Sequence, residues 1–353
     1  MLQAKPRIIK RITVVAALAT TLTGCGGGGS TSNSLRYAYQ DITPQGQQCI
    51  AMGIDNQGDV LLDTVPGASG PGLFLTNAII YSKGTFTDIR KLANVPMIHG
   101  LAMNQYGDVV YQIGQQTSPL TVGIYSGGTT TQLPPLTGSG VIVALSDSGL
   151  VLGNSVTGSQ STDFLFTHGS WVPLASTYFI ASTSPAVGFD PNSNIIFKTP
   201  TGLQIFTSPV TSQSNYGLPA GGLSTTILPI FVDNHGRMTG NTQYVGSNGL
   251  DVIAGYSGTP SSGLPTLPSP NNGPALAKGQ NNNGEIVGAA DPFGKPTPLI
   301  WTNGQYHDLR GAAPFPSGST SISASGINDS NEICGSLTMP DGSEHAFLLT
   351  PKA

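Results

Sequence analysis

The feature that most constrains this chain is a short turn string that returns seven times. Its clearest copy is Gly326-Ile327-Asn328-Asp329-Ser330-Asn331-Glu332-Ile333-Cys334-Gly335, and nearly the same string stands at Gln280-Asn281-Asn282-Asn283-Gly284-Glu285-Ile286-Val287-Gly288. Weaker copies start at Ile54, Met103, Leu145 and Val232, and the most degenerate starts at Phe189. The turn position falls at residues 58, 107, 149, 193, 236, 284 and 331, with spacings of 49, 42, 44, 43, 48 and 47. A near-constant period of that size marks a repeat architecture. Each copy opens with a short polar residue: Asp55, Asn104, Ser146, Asp190, Asp233, Asn281 or Asn328. Such a side chain caps its own turn, and a Gly or Asn further on supplies the positive φ that closes a hairpin. A ring of calcium ligands at these positions is the weaker reading, because a turn cap accounts for all seven.

Around each turn the pattern repeats as well. A strand follows it, then a variable loop, then a second apolar run such as Phe164-Leu165-Phe166 or Leu299-Ile300-Trp301. Most copies then reach a glycine turn and a short fourth strand, as in Tyr306-His307-Asp308-Leu309. Four strands per unit is the make-up of a propeller blade. The residue before the turn string is Gly53, Ala102, Ala144, Gly188, Phe231, Gly279 or Gly326, small in six cases, as inner strands crowding a central axis require. The last unit ends without a fourth strand, while Tyr37-Ala38-Tyr39-Gln40-Asp41-Ile42 has that strand's form at the other end. The expectation is an all-β, seven-bladed β-propeller spanning 37–353 and closed by its N-terminal strand, which removes exposed sheet edges. Composition agrees: only 9% of residues are charged, against roughly 25% in an average soluble protein, with 47 glycines and 27 prolines among 353 residues. Helical proteins need more Glu, Lys and Arg on their exposed faces, whereas short strands joined by turns do not.

The repeat resembles the bacterial extracellular HAF repeat, named for a His-Ala-Phe string that stands here as His345-Ala346-Phe347. Only the last copy keeps that string; the others keep the Asx turn and the apolar strand. The resemblance implies an exported repeat protein and carries over no catalytic residues.

The first residues read as an address. Lys5, Arg7, Lys10 and Arg11 precede an apolar run, 12–22, too short to span a bilayer, which ends in Leu22-Thr23-Gly24-Cys25. This resembles the lipobox of bacterial lipoproteins. It implies a signal peptide over 1–24, cleavage between Gly24 and Cys25, and a diacylglycerol thioether plus an acyl chain such as palmitate on Cys25. Residues 25–36 then form a flexible Gly/Ser tether with a reach of roughly 20 Å. Gly26 after the cysteine favours, by the same resemblance, the outer membrane of a Gram-negative cell.

No zincin, phosphate-loop, nucleophile-elbow or dinucleotide-binding string stands in a plausible context. The five histidines occupy five different places in the repeat, so they make no symmetric ligand ring. The reading is therefore a non-catalytic, monomeric binding or scaffolding module with no metal and no cofactor. The net charge of −4 and the lack of a basic stripe beyond the leader argue against nucleic acid. A neutral ligand such as a saccharide, or a protein partner, fits better. The alternative is a saccharide hydrolase or lyase with a loop-built site. Carboxylates and aromatics converging on the central funnel would favour the enzyme, and a neutral Ser/Thr/Asn funnel the binder. His99 and Lys278 are the polar residues nearest the predicted inner strands and are expected to face that funnel. Tyr244 and Asn248, in an expected loop over 241–250, suit stacking on and hydrogen bonding to a sugar, whereas the proline-rich stretch 257–274 reads as a stiff connector. Cys49 and Cys334 fall in neighbouring blades, as a disulfide or as two buried thiols.

Overall fold

The seven turn strings fold alike, because six of the opening side chains each satisfy two backbone N–H groups that the turn leaves without partners, and the seventh, Ser146, satisfies one. Asp55 Oδ1 accepts from the N–H of Gln57 at 2.9 Å and of Asp59 at 2.8 Å. Asn104, Asp190, Asp233, Asn281 and Asn328 repeat the pair, and Ser146 Oγ accepts from Leu150. The closing residue has positive φ throughout, from +72° to +84° at the five glycines and +63° and +61° at Ser193 and Asn331.

The computed structural model describes residues 36–65, 77–114, 119–136, 138–157, 160–174, 185–199, 202–207, 211–217, 231–245, 251–291 and 294–352. Signal peptide, Gly24, Cys25 and Asn248 lie outside the described residues. The compact unit runs Leu35–Ala353 and is built almost wholly of antiparallel strands. Five sheets have four strands each and one has seven. The inner strands, Gln48–Ile54, Ile98–Met103, Ser139–Leu145, Ala186–Phe189, Phe231–Val232, Ala275–Gln280 and Thr320–Ile327, pack each against the next and the last against the first. A ring of sheets closed on itself around its inner strands is a β-propeller.

Closure uses both ends of the chain. Tyr37–Asp41 pairs antiparallel with Glu344–Pro351, in the register Tyr37↔Pro351 to Asp41↔Phe347. His345 Nδ1 lies 2.7 Å from Asp41 Oδ2, and Tyr37 and Ile42 are buried in the cores on either side.

The seven-stranded sheet departs from seven separate four-stranded units. Its third and fourth strands, Asp251–Gly258 and Ala275–Gln280, meet at a single parallel rung, Ala254↔Ala275. The proline-rich stretch between them is no simple connector. It folds back along Asp251–Gly258, with Ser257 N–H donating to Pro265 O and Leu267 N–H to Gly255 O, and so brings Ala275 alongside. The expected loop over 241–250 is also corrected. Residues 241–245 continue the strand Met238–Val245, and Tyr244 pairs with Val252 in its register. Thr242, Tyr244 and Val245 favour strand, and the ladder with Asp251–Gly258 completes the extension.

Successive repeats are stapled by polar side chains, from the second strand for Asp63, Ser336 and Asn241 and from the third for Asp163. Asp63 Oδ1 accepts from Gly100 N–H at 3.1 Å, Ser336 Oγ from Ala51 N–H at 2.9 Å and Asp163 Oδ2 from Ala186 N–H at 2.8 Å. Asn241 does this twice, accepting from Ala277 N–H and donating to Ala277 O, both at 2.8 Å. The inner strands also approach closely: a Cβ on Gly279 would stand 2.9 Å from Gly326 Cα.

Candidate functional site

The inner strands carry a shared irregularity. Pairing with the second strand skips one residue just before the small pre-turn residue, at Met52, Leu101, Val143, Val187, Lys278 and Ser325. A bulge re-aims the side chain it releases from the ladder. All six skipped residues line one cavity of about 420 Å³ at the centre of the ring. Nearer the turns its wall is formed by Ile54, Met103, Leu145, Phe189, Val232 and Ile327, with Gln280 in the sixth repeat. Except for Lys278, Gln280 and Ser325, these two tiers are apolar.

The mouth is a hydrogen-bonded collar. Asn234 N–H donates to Asn282 Oδ1, Asn282 N–H to Asp329 Oδ1, and Asp329 N–H to Asn56 Oδ1, at 2.8–3.0 Å. Asn56 N–H then donates to Gln105 O at 3.1 Å, and Gln105 Nε2 to Asp147 Oδ2 at 2.5 Å. Pro191, with no N–H to give, stands at the equivalent place in the fourth repeat. There Ser148 Oγ donates to Ser193 Oγ, one position further on.

Four carboxylates line the cavity, and each is engaged as an acceptor. Asp190 and Asp233 hold their own turns, Asp329 takes three bonds from Asn56 and Asn282, and Asp147 takes one from Gln105. Burial raises the Asp147 pKa, and the Gln105 bonds that lower it do not make up the difference.

Lys278 is the one basic side chain among the described residues lining the cavity. Its Nζ donates to Ser323 Oγ at 2.8 Å, and it forms no ion pair with a described residue. Burial lowers its pKa, with no carboxylate acting against that shift. Two residues along the same strand, Gln280 Nε2 makes long bonds to Asp233 Oδ2 and Arg237 O, while Gln280 Oε1 is buried with no partner among the described residues.

His99 is absent from the cavity wall. Its Nδ1 lies 3.6 Å from Asp63 Oδ2, on the second strand of the preceding sheet. Simple alternation from Leu101 and Met103 aims His99 at the axis, but the skipped Leu101 shifts that alternation by one. Burial raises the Asp63 pKa, opposed by the bonds from His99 and Gly100. Cys49 and Cys334 are free thiols buried in one shared core, with burial pushing their pKa values up to about 11 and about 12. Among the described residues no group of three His, Cys, Asp or Glu is placed to hold a metal ion.

This arrangement defines a class: a propeller with an axial cavity whose inner tiers are largely apolar, under a polar collar. No family model matches the chain, and no curated protein matches it. Among solved structures it is similar to the extracellular domain of a hybrid two-component system from B. thetaiotaomicron, at 11% identity and TM-score 0.52 over 88% of this chain and 39% of that one. A structure of the same domain described as a one-component system gives 12% identity and TM-score 0.50, over 90% and 40%. The chain thus spans about two fifths of the length of those proteins. The β-propeller domain of the Trilobed protease from Pyrococcus furiosus is similar over 70% of this chain and 80% of that one, at 10% identity and TM-score 0.46.

Proposed function

We propose that this chain is an exported, non-catalytic binding module, held at the outer membrane by lipid on Cys25, that receives a small ligand in its axial cavity. The ring is read as seven blades, with the fifth and sixth joined at the Ala254↔Ala275 rung. One observation carries the binding reading: the two inner tiers of the cavity wall are apolar except at Lys278, Gln280 and Ser325, and its carboxylates are already committed to turns and collar. General acid–base catalysis needs a carboxyl group within reach of a substrate proton and of suitable pKa, and bonds to backbone N–H groups withhold that freedom. An apolar socket with a few convergent polar groups is the usual form of a small-molecule site. It is neither the carboxylate-and-aromatic funnel of the enzyme alternative nor a neutral Ser/Thr/Asn funnel. The anchoring reading rests on the basic leader and the Leu-Thr-Gly-Cys ending, and an exported chain is in keeping with the extracellular neighbours above.

Methionine methyl NMR tests the cavity directly, because Met52 and Met103 line it whereas Met97, Met238 and Met339 do not. Small-molecule fragments screened against the full chain in lipid nanodiscs should shift the Met52 and Met103 methyls first. Hits that move only the other three methionines would refute an axial site. Mass spectrometry of the N-terminus should show Cys25 triacylated and residues 1–24 removed, and an unmodified Cys25 would refute the anchor.

A further inference from the structure

Resting on the axial-cavity reading, we infer that the ligand is a small monocarboxylate with an apolar body, its carboxylate on Lys278 Nζ. An ammonium offers three N–H donors, and Lys278 spends one on Ser323 Oγ at 2.8 Å. The Lys278 side chain lines a space it shares with Met52, Leu101, Val143 and Val187, together with Ser325. Holding a charge in such surroundings without a counter-charge is costly. No described carboxylate forms an ion pair with it, and the four acids of the wall are bound elsewhere. A ligand carboxylate supplies the missing charge through short, charge-assisted bonds.

The rest of the wall sets the ligand's body. The aliphatic and thioether side chains of Met52, Leu101, Val143, Val187 and Met103 favour an alkyl or aryl group and give no partner to a polyhydroxylated one. A sugar would leave most of its hydroxyls unpaired there, a penalty repeated for each. The buried, unpaired Gln280 Oε1, two residues from Lys278 on the same strand, adds a place for a single donor. The preferred member of the class therefore carries one hydroxyl or amide N–H near its carboxylate. The volume, about 420 Å³, lies in the range of small-molecule pockets.

The probes are hexanoate, hexan-1-ol and hexylamine, which share a tail and differ in head group. Each is titrated into the full chain in nanodiscs and followed at the Met52 and Met103 methyls. Hexanoate should bind at least about tenfold more tightly than hexan-1-ol, and hexylamine more weakly than either. Lys278→Met should abolish the preference for hexanoate while keeping hexan-1-ol binding, and Lys278→Arg should retain the preference. Unchanged Met238 and Met339 methyls report that each variant is folded. Equal binding of the three probes, or a preference that survives Lys278→Met, overturns the carboxylate assignment and leaves the cavity as a site. Failure of all three probes to move Met52 or Met103 overturns the carboxylate assignment, and fragments that then leave those methyls still remove the axial site too.

Discussion

Replacing Asn241 with Leu tests how the ring is held together. The Asn241 carboxamide acts as a ladder rung made by a side chain, because it offers Ala277 the same donor and acceptor that a neighbouring peptide unit would. Both bonds are 2.8 Å, and Asn241 and Ala277 are 4% and 0% exposed. Leucine has the same branched skeleton of four side-chain heavy atoms but leaves the Ala277 N–H and C=O facing methyl groups. Each buried backbone group left unpaired costs about 1–3 kcal/mol, and the added apolar burial returns about 1–2 kcal/mol. At the middle of those ranges the expected net loss is about 2.5 kcal/mol. Urea unfolding followed by tryptophan fluorescence measures it, since Trp301 is buried in the same cluster as Ala277. Hydrogen exchange at the Ala277 amide should quicken in parallel. Asn241→Asp supplies a further test of the cause. At neutral pH it sets a buried carboxylate against Ala277 O, so its folded pKa must rise, as burial raises that of Asp63 at the equivalent place. A raised carboxyl pKa makes the folded state more favourable as pH falls, so Asn241→Asp should recover stability toward pH 5. An Asn241→Leu variant within about 0.5 kcal/mol of the parent, with an unchanged Ala277 amide, would show that the staple contributes nothing.

Deleting 34–44 should expose the edge of Glu344–Pro351 and leave the last core without Tyr37 and Ile42, giving aggregation in sedimentation and a lower melting temperature. A soluble, equally heat-stable truncation would refute closure by that strand. Burial raises the Asp41 pKa, but bonds from His345 and Thr43 outweigh it and leave the carboxyl below its ordinary value. Its contribution to stability is therefore present above about pH 4 and lost as pH falls through the folded value, and Asp41→Asn should flatten the acid limb of a melting-temperature profile. Ellman's reagent should find Cys49 and Cys334 unreactive in the native chain and release two thiols on unfolding, because both are buried and unbonded.

The scaffold was legible wherever a residue's role is set by its own backbone. Asp55, Asn104 and Asn328 cap turns made by the next four residues, so short-range sequence carries the whole instruction. Tyr37 to Asp41 was readable as the missing outer strand because the chain's own repeat supplied a template for it. The site was less legible, because its residues are selected by a break in alternation. Nothing in Ile98-His99-Gly100-Leu101 announces that Leu101 leaves the ladder, so His99 was expected at the axis and stands against Asp63 instead. Residues 241–245 were hidden differently: Asn241 and Gln243 are not strand formers, and pairing with Asp251–Gly258 carries them into the strand that Thr242, Tyr244 and Val245 favour. The staples were missed since Asp63, Asn241 and Ser336 share a place but not a chemical type. The collar was visible in principle, as a polar residue follows the turn cap in every repeat except at Pro191.

The same division explains why the ring's asymmetry gathers in one sector. Turn caps bond to their own turns and collar residues to neighbouring repeats, so a change at a turn cap disturbs its turn and a change at a bonded collar residue disturbs two repeats. The skipped residue of each inner strand has no such duty, because the bulge has already released it from the ladder. Its identity is therefore free to follow a ligand, and six described repeats place Met, Leu, Val, Val, Lys and Ser there. Lys278 is the outlier in charge, Gln280 is the outlier in the next tier, and both belong to the strand that Asn241 staples and that the Ala254↔Ala275 rung joins to the preceding repeat. That strand is thus the one held by a side-chain rung on both Ala277 groups and by a main-chain rung at Ala275. A desolvated ammonium needs a rigid support if it is not to swing toward solvent, and this junction supplies it. The irregular fifth and sixth repeats are in this reading one device, in which the extra pairing holds Lys278 and Gln280 in place at the axis.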